Sequence, residues 1–139
     1  MGDGFRRDRA ADGANAMLNY GYTVLRASVA RSVMAAGLHP SIGLHHQNRF
    51  NDFCLVDDVM EPFRPVIDGC VSALVGEGAT DVTPDIKAAL VTTLSQELHT
   101  DRGIVPVSRA IEWLVQSLAT AMMDGGTSLV VAEIRGRLV

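Results

Sequence analysis

An all-α fold, a bundle of about five to six helices, is what the sequence predicts, and three observations predict it. Apolar residues recur three and four positions apart over several stretches, the period of a helix with one buried face. Aromatics are scarce at 5% and the apolar content is mostly Ala, Val and Leu, which suits helices packed closely on helices. Sustained alternation of apolar and polar residues, the mark of a half-buried strand, is missing. A length of 139 residues suits one domain that buries about two-thirds of its unfolded surface.

The first dozen residues, MGDGFRRDRAAD, hold two glycines and alternating charges and read as a flexible N-terminal segment, 1–12, ahead of a helical lobe, 13–139. From Asn15 to Ala36 the apolar residues Leu18, Tyr22, Leu25, Val29 and Val33 form the stripe of an amphipathic helix. Asp12 or Asn15 caps its start and Gly37 supplies a left-handed stop. Gly21 weakens this helix by about 1 kcal/mol relative to alanine, so another backbone is expected to approach there. Residues 37–52, rich in Gly, Pro and Asn, read as a loop. A second helix starts near Asn51 or Asp52 and runs through FCLVDDVME. Pro62 and Pro65 then remove amide donors and clash with the preceding turn, which predicts a kink before VIDGCVSALVG resumes the helical pattern.

Thr83, Pro84 and Asp85 mark the most secure boundary: a cap, a proline at the first helical position and an acid beside the positive helix end, opening a helix TPDIKAALVTTLSQEL. VSRAIEWLVQSLATAMM forms another, stopped by Gly125 and Gly126, and TSLVVAEIRGRL a last one. Trp113, between Ile111 and Leu114, reads as core. Cys54 and Cys70 sit among apolar neighbours and read as small core residues in a reducing compartment. His39 and His99 read as caps or surface groups.

No apolar run approaches the ~20 residues of a membrane span, and the N-terminus lacks the apolar core of a secretory signal, so a cytoplasmic location without membrane contact is expected. The net charge of −4 excludes a protein that coats nucleic acid by bulk charge. Its distribution is uneven. Residues 1–65 carry seven arginines and seven acids, and without Asp57, Asp58 and Glu61 that half is net positive by three. An acidic pocket inside an arginine-bearing face is compatible with metal-assisted work on a phosphate backbone.

The candidate constellation lies in GLHHQNRFNDFCLVDDVMEPF, residues 43–63. On a helix Asp57 and Glu61, or Asp58 and Glu61, fall on one face, where like charges repel unless a cation joins them. Carboxylate oxygens suit Mg²⁺ or Mn²⁺, and one imidazole added from the preceding loop shifts the preference towards Mn²⁺. The same acids at a helix start also complement the helix dipole, and on the residues alone both readings stand.

The stretch from NAMLNYGY through AAGLHPSIGLHH to FCLVDDVMEPFRPVID resembles the helical lobe of the CRISPR-associated (Cas) integrase family, in the version of type II systems. The register is continuous over about fifty residues, and residues 66–125 resemble the family's C-terminal helices more loosely. The resemblance implies a metal-dependent DNA endonuclease and integrase of spacer acquisition. It places the metal on His46, Glu61 and Asp58, with His46 and Glu61 catalytic. It makes His45 a structural or DNA-side neighbour, and Arg49 and Arg64 are the arginines nearest the site for backbone phosphates. It also implies Mg²⁺ or Mn²⁺, DNA partners (protospacer and CRISPR repeat), the second, small CRISPR adaptation protein, and a homodimer in the intact family member. The family has a further glutamate ligand on an earlier helix, preceded by a β-rich domain. Here no glutamate precedes Glu61, so the chain is expected to be the C-terminal lobe of a larger integrase. The alternative is a catalytically inert helical module that binds DNA or protein.

Overall fold

The computed structural model describes residues 2–38 and 54–124. In order these hold α1 (Gly2–Ala35), α2 (Cys54–Met60), a 3₁₀ turn (Glu61–Phe63), α3 (Arg64–Gly76), α4 (Pro84–Thr92), a second 3₁₀ turn (Thr93–Ser95), β1 (Glu97–Thr100), β2 (Gly103–Pro106) and α5 (Val107–Asp124). The fold is mostly helical but not all-α: β1 and β2 pair into an antiparallel hairpin. The expected last helix, 127–138, and the loop 39–53 lie outside the described residues.

α1 is the axis of the fold, in contact with α2, α3, α4 and α5. Its buried positions are Gly13, Met17, Gly21, Leu25, Val29 and Val33, spaced by four throughout. Such a stripe precesses by roughly 40° per step around a 3.6-residue helix. One helix therefore meets different neighbours along its length. The predicted stripe is right from Leu25 onward and one residue out of phase before it, because two of its buried positions are glycines that carry no apolar signal. Leu18 and Tyr22 are only half-buried.

Both glycines mark close approaches, of different kinds. At Gly21 a Cβ would lie 2.6 Å from the Ile67 side chain and 3.4 Å from that of Leu90, so side chains approach there and not the expected backbone. The backbone approach is at Gly13, where a Cβ would fall 1.8 Å from the Thr80 carbonyl oxygen. That contact fixes the first half of α1 against the segment between α3 and α4. It also corrects the tail: residues 2–12 are the opening turns of α1, where Asp3 stands three and four positions before Arg6 and Arg7, a spacing that suits a helix.

α1 ends as its sequence indicates. Gly37 has φ +80°, its N–H donates to Met34 O at 3.0 Å and that of Leu38 to Val33 O at 3.1 Å, the paired bonds of a Schellman stop. α3 stops the same way on Gly78, φ +97°. Thr83 caps α4 with Oγ1 accepting from the Ile86 N–H at 3.3 Å. The break at the prolines is the single 3₁₀ turn Glu61–Phe63, with Phe63 fully buried.

α4 ends at Thr92, short of the expected Leu98, and Glu97–Pro106 forms the hairpin instead. Leu98 pairs with Val105 and His99 with Ile104 around a two-residue loop closed by Gly103 at φ +113°. Thr100 and Arg102 tie the turn, the hydroxyl donating to Gly103 O at 2.8 Å and accepting from the Arg102 N–H at 3.2 Å. The hairpin lies against α5, and the Val107 N–H donates to Gln96 O at 2.9 Å. α5 buries Val107, Ala110, Ile111, Leu114, Val115 and Leu118. Trp113 is not core as expected: it is half-buried, and the Arg102 guanidinium lies over its ring at 5.1 Å from the centroid.

Cys70 is a free, half-buried thiol that burial pushes up, with Glu77 adding to the shift. Such a thiol is a weak nucleophile at neutral pH, in keeping with a packing role. Among the described residues no helix is long and apolar enough to cross a membrane.

Candidate metal and DNA site at the proline break

Asp57, Glu61, Arg64 and Asp68 are spaced by four, three and four, which places them along one face of α2, the 3₁₀ turn and α3. The prolines bend this helical path without breaking its face, since 3₁₀ and α turns both return a side chain after three or four residues. Opposite them α1 offers Tyr22 and Arg26, also one turn apart. Two chain segments thus present alternating charge to each other.

Each contact is specific. Arg26 Nη2 lies 3.2 Å from Asp57 Oδ1. Tyr22 Oη donates to Asp68 Oδ1. The Arg64 guanidinium lies over the Tyr22 ring, 5.1 Å from its centroid, and Arg64 Nε is 3.0 Å from Glu61 Oε1. That Nε is shut off from solvent and its N–H is not directed at an acceptor, so the Arg64–Glu61 contact is one of charge. Three carboxylates face two guanidiniums, leaving the row acidic. Half-exposed pairs of this kind contribute about 0–1 kcal/mol each, so they orient side chains more than they hold the fold.

Tyr22 records the acidity. Its phenol is held above the usual 10.0, first by the hydrogen bond to Asp68, then by burial and the Asp68 charge, with Arg64 opposing. Because the folded value exceeds the unfolded one, the native state keeps a proton that the unfolded chain loses. This contribution to stability is whole below pH 10 and is lost as pH rises through the folded value. In an alkaline tyrosinate absorbance titration, the component above 10.0 is expected to vanish in Tyr22→Phe, and with it part of the fall in melting temperature.

Of the residues predicted from sequence, the structure places Asp58, half-buried, and Glu61, half-exposed, on successive turns, with Arg64 beside Glu61. His45, His46 and Arg49 lie outside the described residues. Among the described residues no three of His, Cys, Asp and Glu gather to hold a metal. The donors that are described fit part of such a site: Asp58 and Glu61 supply hard oxygens three residues apart. Sequence reasoning missed Arg26 and Asp68 and left Tyr22 half-assigned to the core. The four-three-four spacing from Asp57 to Asp68 was the available signal.

The chain is thus a mostly helical lobe in which a bent, charge-lined helix faces a long central one. A model of the family described as CRISPR associated protein Cas1 matches residues 4–97, and the chain belongs to that family. It is 39% identical over 112 residues to a CRISPR-associated endonuclease Cas1 of Neisseria meningitidis serogroup C, strain 8013, covering 79% of this chain and 37% of that protein. It is 33% identical over 120 residues to a Cas1 endonuclease of Pyrobaculum aerophilum, covering 84% and 40%. Among solved structures it resembles a casposase bound to integration product, with a TM-score of 0.67 at 25% identity, over 81% of this chain and 38% of that one. The chain thus spans about two-fifths of these curated relatives.

Proposed function

We propose that this chain is the helical catalytic lobe of a metal-dependent DNA endonuclease and integrase of CRISPR adaptation, with α1 from its first turn as part of the lobe. The observation that carries the reading is Glu61, half-exposed at the proline break beside Asp58 and facing Arg64. Family membership supports it, as do relatives named as endonucleases and a structural neighbour described on an integration product.

In this reading Asp58 and Glu61 hold a Mg²⁺ or Mn²⁺ ion together with His46. A divalent ion held by these residues would supply Lewis acidity to a phosphodiester and would offset charge on the leaving 3′ oxygen. The chain's own residues do the positioning. Arg64 and Arg49 bind backbone phosphates, and His45 flanks the DNA side. Arg26 pairs with Asp57, and Asp58 and Glu61 are the acids assigned to the ion. Protospacer and CRISPR-repeat DNA, the small second adaptation protein and a homodimer are the partners of the whole protein, and the cytoplasm its location.

The second reading is a helical interaction module that binds DNA without cutting it. The test is calorimetric titration of Mn²⁺ into the full chain, His46→Ala and Glu61→Ala, with nicking of branched DNA measured on the same samples. Binding weakened by both substitutions is expected. Nicking lost in His46→Ala supports the enzyme, and binding without nicking supports the module.

A further inference from the structure

Arg64 is held from two sides. Its Nε faces Glu61 Oε1 at 3.0 Å, and its guanidinium lies over the Tyr22 ring, 5.1 Å from the centroid. The ring is itself pinned, since Tyr22 Oη donates to Asp68, which lies one turn beyond Arg64 on the same helix. Losing Glu61 as a partner therefore does not release the guanidinium, because the support under it comes from α1 and α3. A solvent-shielded Nε with no directed acceptor also shows that the carboxylate contact leaves donor capacity unused.

A carboxylate shared between a guanidinium and a divalent cation sets the two in competition, whereas a guanidinium next to a cation-bound phosphodiester adds a planar fork of donors that matches phosphate. We propose that Arg64 is both the resident counter-cation of Glu61 and a phosphate clamp. It neutralises the carboxylate until a divalent cation takes it, and then, kept in place by Tyr22, turns its donors to a DNA phosphate. Cation and DNA binding are coupled through this one side chain, and the coupling is reciprocal. Tyr22 is a positioning residue in this scheme, through its ring. The proposal rests on the reading of Glu61 as a metal ligand.

The experiment is Mn²⁺ titration of the full chain by calorimetry, with and without a short mixed-sequence DNA duplex. For the parent, DNA is expected to tighten Mn²⁺ binding by about fivefold or more. Arg64→Gln without DNA is expected to bind Mn²⁺ about two- to fivefold more tightly than the parent, the size of a half-exposed ion pair, and DNA no longer tightens it. Tyr22→Leu loses the DNA effect and Tyr22→Phe, which keeps the ring, retains it, a rescue that a merely structural role would not give. Arg64→Gln with unchanged Mn²⁺ affinity and an unchanged DNA effect overturns the proposal, and Glu61→Gln that abolishes binding leaves the metal reading standing beside that failure. A parent that binds no Mn²⁺, or Glu61→Gln that binds it as well as the parent, overturns the metal reading and the proposal with it.

Discussion

Phe63→Ala is expected to cost about 3–5 kcal/mol, the range for deleting a fully buried phenylalanine, and to lower the melting temperature by on the order of 10–15 °C. Phe63 is completely buried and is the last residue of the 3₁₀ turn that carries Glu61. Its ring fastens the bend between α2 and α3 to the core, while Pro62 and Pro65 deprive the turn of two amide donors. The substitution therefore acts twice, on the fold through the cavity and on the site through the angle at which Glu61 and Arg64 meet α1. Phe63→Leu is expected to recover most of the stability, since it restores much of the lost volume. A loss below about 1 kcal/mol in Phe63→Ala, measured by urea unfolding, would mean that the turn is not anchored by this ring.

Gly13→Ala is expected to be destabilising by about 2–3 kcal/mol, because a Cβ placed 1.8 Å from the Thr80 carbonyl oxygen meets backbone and not a flexible side chain. The intrinsic preference of a helix for alanine, about 1 kcal/mol, recovers only part of it. Gly69 in α3 supplies the contrast: a Cβ there would meet nothing within 4 Å, and Gly69→Ala is expected to stabilise by up to about 1 kcal/mol. Paired urea unfolding of the two variants checks both signs. Equal stability of Gly13→Ala and parent would show that α1 is not pinned to the 79–82 segment.

These two residues also show what was legible in the sequence. The second half of the α1 stripe, the Gly37 stop, the Thr83–Pro84–Asp85 start and the break at Pro62 were readable, because each rests on local chemistry that tertiary contacts do not override. The first half of α1 was not, since Gly13 looks the same in sequence as a glycine in a flexible tail, while at Gly21 the close approach was legible and its kind, side chain and not backbone, was not. The hairpin was missed because four-residue strands are too short for alternation to register, although Thr-Asp-Arg-Gly at 100–103 carried a turn signal. Trp113 left the core because Arg102, brought over its ring by that hairpin, covers the face it exposes.

Within the site, helical spacing set Glu61 beside Asp57 or Asp58, the family resemblance chose Asp58 and Glu61, and Arg64 was named as an arginine near them. Tyr22 and Arg26 reach the same place from α1, 46 residues from Asp68 and 31 from Asp57 in sequence, and only the packing of α1 on α2 and α3 brings them there. Asp57 and Asp58 are adjacent in sequence yet on different faces, so the Arg26 contact separates two acids that spacing alone had left interchangeable.

The proposed function requires one divalent cation bound by both His46 and Glu61. Calorimetric titration of Mn²⁺ into the full chain beside His46→Ala and Glu61→Ala tests it most directly. Saturable binding by the parent is expected, weakened by each substitution by tenfold or more, about 1.4 kcal/mol at least. Binding that neither substitution changes, or no binding by the parent, would contradict it.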